Sequence, residues 1–151
     1  MTVKRAGRGE QIVDVEIRRV GPADMALFER VDEDVFDEPV DPARLSAYLA
    51  SPGHMMLVGL HEGVVMAQVA AVIHRHPDKR TELYIDEVAV APALQRQGLA
   101  RRMLDDMFAW GRELGCEEVW VGTELDNEPA RALYERPFGS GGVFVMYARL
   151  L

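Results

Sequence analysis

Three carboxylates, Glu82, Asp86 and Glu87, fall within the strand-like run Glu82-Leu83-Tyr84-Ile85-Asp86-Glu87-Val88-Ala89-Val90. A carboxylate delivered to a cleft can take a proton from an incoming nucleophile. Neighbouring strand residues point to opposite faces, so Asp86 and Glu87 cannot both enter one cleft unless a bulge intervenes. Just downstream, Gln95-Arg96-Gln97-Gly98-Leu99-Ala100 opens a helix. The first backbone N–H groups of a helix lack intrahelical partners and can surround an anion. Gly98 permits close approach, Ala100 keeps the helix start uncrowded, and Arg96 and Arg101 add charge. The stretch therefore pairs an acid/base group with a cradle for an anionic cofactor. It has neither the Lys-Ser/Thr of a P-loop nor a full dinucleotide fingerprint, and by itself it equally suits an ordinary helix start.

The other chemistry-bearing residues are fewer. Asp32-Glu33-Asp34-Val35-Phe36-Asp37-Glu38-Pro39-Val40-Asp41 packs six carboxylates into ten residues. With a net charge of −8, it points to cationic partners and away from broad nucleic-acid or anionic-membrane binding. The alternative is a solvated acidic loop. The lone Cys116 excludes an intrachain disulfide, agrees with a cytoplasmic protein, and reads as a buried structural residue. His74 and His76 have no spaced Cys or acid to complete a metal site, so no metal is expected.

The elements that position these groups follow from periodicity. Residues 14–20 alternate as a half-buried strand, and a helix follows Gly21-Pro22, with Met25, Leu27, Phe28 and Val31 on its apolar side. A second helix starts at Asp41-Pro42 and stops at Ser51-Pro52-Gly53. Strands over 54–61 and 64–74 are joined by Glu62-Gly63 as a hairpin. Then come a strand over 81–90, a long amphipathic helix over 96–114, a strand over 117–122, a short helix over 128–134 and a last strand over 143–150. The longest apolar run, 64–73, is interrupted by Gln68 and is too short to span a membrane. Residues 1–13 read as a flexible leader without a secretory signal, and 14–151 as one α/β domain.

Val88-Ala89-Val90-Ala91-Pro92-(x)2-Gln95-Arg96-Gln97-Gly98-Leu99-Ala100 resembles the acetyl-CoA-binding motif of the GNAT N-acetyltransferase superfamily, and Asn127-(x)2-Ala130-(x)2-Leu133-Tyr134 resembles its second motif. The resemblance implies a mixed, mostly antiparallel sheet of six to seven strands, with a V-shaped splay between the two central strands and about four flanking helices. It implies that the backbones of Val88, Ala89 and Val90 meet pantetheine. Gln95, Arg96, Gln97, Gly98, Leu99, Ala100 and Arg101 would wrap the pyrophosphate, with Asn127 and Ala130 along the cofactor arm. Tyr134 would lie near the thioester sulfur, where a phenol can supply a proton. Glu135 to Gly142 depart from the superfamily's usual turn ending Gly-Phe, which bears on the acceptor wall.

Acetyl transfer to an amine needs a base, because an ammonium cannot attack, and a fixed N–H donor for the oxyanion. The resemblance implies Glu87 as the base, since related amine acetyltransferases carry an acidic residue immediately before the Val-Ala-Val segment, with Glu124 in reserve and the Val88 N–H as donor. Direct attack is preferred to a ping-pong route because no nucleophilic cysteine is well placed. The run 82–90 and the acidic segment look most like the aminoglycoside 3-N-acetyltransferase branch. That implies a 3-amino group of deoxystreptamine as acceptor, with Asp32, Glu33, Asp34, Asp37, Glu38, Asp86 and Glu124 holding a cationic small-molecule amine. A polyamine, an amino acid or a protein N-terminus would suit the same acidity, and a non-catalytic acyl-CoA-binding module is the other reading. The resemblance also allows a homodimer through the last strands.

Overall fold

The computed structural model describes residues 14–151; the leader expected over 1–13 lies outside them. Strand β3 (Val64–His74) is the middle of a five-stranded sheet in the order β1-β2-β3-β4-β5, with β1 Glu16–Arg19, β2 His54–His61, β4 Glu82–Val90 and β5 Glu118–Val121. Neighbours from β1 to β4 are antiparallel; β4 and β5 are parallel. A parallel pair needs a long crossover, and helix α2 (Leu99–Glu113) supplies it.

β3 is covered on both faces, which explains its nearly continuous apolar run. On one face Leu57, Val69, Ala71, Leu83 and Ile85 meet Leu99, Met103, Leu104 and Met107 of α2. On the other, Met56, Val58, Val65 and Ala70 meet Val35, Leu27, Phe28 and Tyr48. These come from a 3₁₀ helix (Pro22–Glu29), helix α1 (Pro42–Ala50) and the loop between them. Asp41 caps α1 by accepting the Arg44 N–H at 2.8 Å, and Pro42 fills the first position. Gly111 lets α2 lie close to β4: a Cβ there would stand 2.7 Å from Leu83 Cδ2.

Several expectations are corrected. Among the described residues the sheet has five strands, not six to seven, and residues 143–150 form no strand. Alternation supplies strand propensity, but a strand exists only where its backbone groups find partners, and none pair here. Val143, Val145 and Tyr147 are 77%, 71% and 92% exposed. β5 is consequently an edge strand rather than one of two central strands. The segment after Gly21-Pro22 is 3₁₀ rather than α-helical, with non-helical backbone at Asp24, whose Oδ2 accepts the Gly21 N–H at 2.8 Å. α2 begins at Leu99, not Arg96, because Gly98 is left-handed at φ +76°. Helix α3 (Glu128–Phe138) runs beyond Tyr134 and carries Pro137 inside its last turn, where the missing N–H withholds a donor from the Leu133 carbonyl, and the helix stops one residue later. Four helices of eight residues or more flank the sheet, together with a three-residue 3₁₀ turn at Pro92–Leu94. No helix of the described residues is long and apolar enough to cross a membrane.

Candidate active site

The cleft is written into the strand register. β4 pairs with β5 only from Glu82↔Glu118 to Ile85↔Val121. Beyond that point Glu87 to Val90 still pair with β3, while the edge towards β5 has no partner. The two strands thus part immediately after Ile85 and Val121. Val88, Ala89 and Val90 line the opening, half-buried. An open strand edge in the interior of a fold offers unpaired peptide groups to an extended ligand.

The free edge runs directly into the cradle. Gln95 Nε2 donates to the Val90 carbonyl at 2.9 Å and ties the loop back to the strand end. Arg96 and Gly98 both hold positive φ, +62° and +76°. Left-handed residues at a turn are those from which anion-binding nests are built, and these sit at the positive end of the α2 dipole. A Cβ on Gly98 would meet nothing within 4 Å, so its face is open. Arg96, Gln97 and Gly98 are exposed, Leu99 anchors the helix start in the core, and Ala100 is half-buried. Arg101 is half-buried with its buried Nε lacking a hydrogen-bond partner, 3.6 Å from Asp105. The open glycine face and the left-handed turn at the start of α2 fit a pyrophosphate.

Across the cleft the two candidate acids are brought together. β3 and β4 shift register between Ala70↔Glu87 and Ala71↔Ile85, leaving Asp86 as an extra residue in a bulge. A bulge turns consecutive side chains towards the same side. Burial raises the Tyr48 phenol above its ordinary range, and the charges of Asp86 and Glu87 both raise it further, so both acids lie by that ring. Tyr48 O–H donates to the Met55 carbonyl at 2.7 Å. Asp86 is exposed and Glu87 half-buried. Glu87 Oε2 accepts from Gln68 Nε2 at 2.8 Å, and the same amide nitrogen donates to the Val35 carbonyl at 3.2 Å. Gln68 is 1% exposed, and its Oε1 has no partner.

Through Val35 the acidic loop joins the site. It is pinned by a parallel bridge between Val31 and Val65, by the Asp32 N–H to the Val65 carbonyl at 2.9 Å, and by Val35, which is 1% exposed. Asp32 Oδ1 accepts the Asp34 N–H at 3.0 Å, a turn-forming role. Glu33, Asp34, Asp37 and Glu38 are exposed around the buried Val35.

The second motif lies past the end of β5. Asn127 caps α3 by accepting the Ala130 N–H at 3.2 Å, with Ala130 half-buried. Tyr134 packs against the α2-side core, with Phe138 edge-on at 6.4 Å. Burial, then the charge of Glu124, raises its phenol above the ordinary range, so it keeps its proton at neutral pH. Glu124 therefore lies by Tyr134, exposed, while Glu87 lies by Gln68 and Tyr48. Cys116 is half-buried and its thiol is raised by burial, the opposite of an activated nucleophile. Among the described residues, no three His, Cys, Asp or Glu gather to hold a metal.

Gln68 and Tyr48 are the site residues that periodicity concealed. Tyr48 reads as the apolar side of a helix. Gln68 carried a signal, being the one polar residue in a ten-residue apolar run.

A model of the acetyltransferase (GNAT) family matches residues 24–140, and the chain belongs to that family. Acetyltransferases of this family take acetyl-CoA as donor, the group the open cleft and cradle fit. The N-alpha-acetyltransferase RimI of Mycobacterium tuberculosis is 31% identical over 100 residues, 66% of this chain and 61% of that protein. The chain thus spans less than two thirds of this relative's length. Among solved structures, an aminoglycoside acetyltransferase from an uncultured soil metagenomic sample, in complex with sisomicin, superposes with a TM-score of 0.75 at 21% identity, covering 91% of this chain and 96% of that one. The aminoglycoside N-acetyltransferase AAC(6′)-Iy in complex with CoA gives 0.76 at 17%, covering 97% and 99%. At such identities the likeness is one of fold.

Proposed function

We propose that the protein transfers an acetyl group from acetyl-CoA directly to a primary amine of an aminoglycoside, the 3-amino group of its deoxystreptamine ring. The observation that carries this is the Asp86–Glu87 pair on the open edge of β4, between the anion cradle and the exposed acids of the 32–41 loop. Acetyl-CoA supplies the activated acetyl thioester. The chain's own residues do the rest. Backbone groups of Val88, Ala89 and Val90 align the pantetheine arm, and Gln95 to Arg101 hold the pyrophosphate, with Asn127 and Ala130 beside the arm. Glu87 Oε1 is free to take the proton of the incoming ammonium while Oε2 is held by Gln68. The Val88 N–H would serve as the oxyanion donor, and as the amine N–C bond forms and the thioester C–S bond breaks, the protonated Tyr134 phenol would give its proton to the departing thiolate. Asp86, Glu33, Asp34, Asp37 and Glu38 hold the remaining ammonium groups. A sisomicin complex of a fold neighbour supports an acceptor of this kind.

A second reading is favoured by a specific observation: the RimI relative acts, by its name, on an alpha-amine, which makes a protein N-terminus the competing acceptor. Thiol release from acetyl-CoA measured with sisomicin, spermidine and a short peptide separates the readings. Turnover with sisomicin, and a product acetylated at the 3-amino group by NMR, is expected. Acetylation at the 6′ position corrects the regiochemistry alone. Turnover with the peptide and none with sisomicin overturns the aminoglycoside reading. The exposed apolar run from Val143 to Tyr147, together with the free edge of β5, supports a homodimer through the C-terminal segment, which light scattering reads directly.

A further inference from the structure

We infer that Trp120 and Tyr84 form an aromatic shelf that holds a ring face of the acceptor next to Asp86 and Glu87. The inference rests on the aminoglycoside reading and adds to it the surface that recognises the body of the substrate rather than its amines.

The shelf follows from register. Tyr84 pairs with Trp120, one position before the last β4–β5 pair, so both rings stand at the point where the strands part. Tyr84 opposes Val72 and Glu87 opposes Ala70, and residues 70 and 72 of β3 share a face; Tyr84, Trp120 and Glu87 therefore project to the same side. The two rings stack at 4.1 Å between centroids with 25° between planes. His74 extends the row, 5.7 Å from Tyr84 and 26° from its plane. The 3₁₀ helix and α1 cover β2 and β3 on this face and stop short of β5. With one ring face stacked on Tyr84, Trp120 is left 37% exposed on the edge strand β5.

Carboxylates surround it. Asp86 follows Tyr84 by two residues on β4, and its charge contributes to raising the Tyr84 phenol. Glu82 opposes His74, and its Oε2 lies 3.1 Å from His76 Nε2. A flat apolar surface ringed by acids suits a rigid cation with a C–H face, whose ring stacks on the indole while its ammonium groups reach the carboxylates. An amino sugar has that form. A linear polyamine has the charges without the face.

The test is a split between kinetic constants combined with a direct signal. Trp120→Ala should raise KM for sisomicin by about tenfold. It should leave kcat and the KM for acetyl-CoA within about twofold, and Trp120→Phe should restore most of the loss. A merely structural Trp120 would move all three constants together with Tm. The chain has two tryptophans, and Trp110 lies on α2 beneath the Arg19 guanidinium, 4.9 Å away. Trp110→Phe therefore makes Trp120 the sole indole reporter. Its emission should change on titration with sisomicin and not with spermidine. No emission change with sisomicin, or an unchanged sisomicin KM in Trp120→Ala, overturns the shelf while turnover of sisomicin by the wild type keeps the aminoglycoside reading intact. A clear emission change without sisomicin turnover supports the shelf as a binding surface and removes the reaction reading.

Discussion

At the scale of single residues, the buried amide of Gln68 decides how Glu87 is presented. It holds one carboxylate oxygen of Glu87, leaves the other for the acceptor in the proposed reaction, and through the Val35 carbonyl ties the acidic loop to the same amide. Glu87→Gln should cut kcat by about 100-fold with acetyl-CoA affinity unchanged. Full activity in that variant would shift the proton to Asp86, Glu124 or water. Gln68→Leu should lower kcat by a smaller factor, again without changing the acetyl-CoA KM. It should also cost about 1–3 kcal/mol of stability, because the Val35 carbonyl loses its donor in the core; thermal melting checks this. Acid sensitivity has a separate origin. His76, with smaller help from Lys79 and Trp120, holds the Glu82 carboxyl below its ordinary range. A folded value below the unfolded one means the unfolded chain binds more protons, so the contribution is present above the ordinary carboxylate range and disappears as pH falls through the lowered value. The Tm difference between wild type and Glu82→Gln should therefore shrink from about pH 6 to about pH 3. A difference that grows on acidification would show the sign to be wrong.

At the scale of elements, two glycines of different kinds position the donor side. Gly98 is needed for its backbone: at φ +76° with open space around it, Gly98→Ala costs about 1 kcal/mol in strain and puts a methyl group on the cradle face. The acetyl-CoA KM should rise while the acceptor KM holds. Gly111 is needed for its lack of volume. Gly111→Ala drives a methyl group into Leu83, which is 1% exposed and has no room to retreat, and should lower stability by about 1–3 kcal/mol. Adding Leu83→Ala should recover part of the loss, and a strictly additive double variant would mean that α2 and β4 do not bear on each other there. These elements were legible in sequence to different degrees. The β2–β3 hairpin and α1 could be read within a residue because their signals are local: a Glu-Gly turn, an Asp-Pro start, a Ser-Pro-Gly stop. The bulge at Asp86 was not legible, since it depends on how β4 meets β3, and it is what lets two consecutive acids share one face. Nor was the fate of residues 143–150, whose alternation gives a strand's period but not its partner. The cradle motif lay within a short local stretch, whereas Gln68 and Trp120 enter the site only through cross-strand register.

At the scale of the whole molecule, the proposed reaction has the net charge of −8 act on its donor and its acceptor with opposite sign. Acetyl-CoA is itself an anion, so the overall field opposes its approach, and in the proposed complex Arg96, Arg101 and the α2 N-terminus reverse that field locally. An aminoglycoside is a polycation, drawn in by the same field and most strongly towards the exposed acids around Val35. Screening weakens interactions beyond about 8–10 Å at physiological salt. Raising ionic strength should therefore lower kcat/KM for the acceptor while leaving that for acetyl-CoA level or slightly higher. Replacing Glu33, Asp34, Asp37 and Glu38 together by their amides removes four charges without touching the buried Val35 or the Gln68 link. In that variant kcat/KM for the acceptor should fall by about tenfold at low salt, and its dependence on ionic strength should flatten. The acetyl-CoA constants should stay level or improve. If the acceptor's salt dependence survives intact, the loop is a solvated face, and recognition rests on Asp86, Glu87 and the aromatic shelf alone.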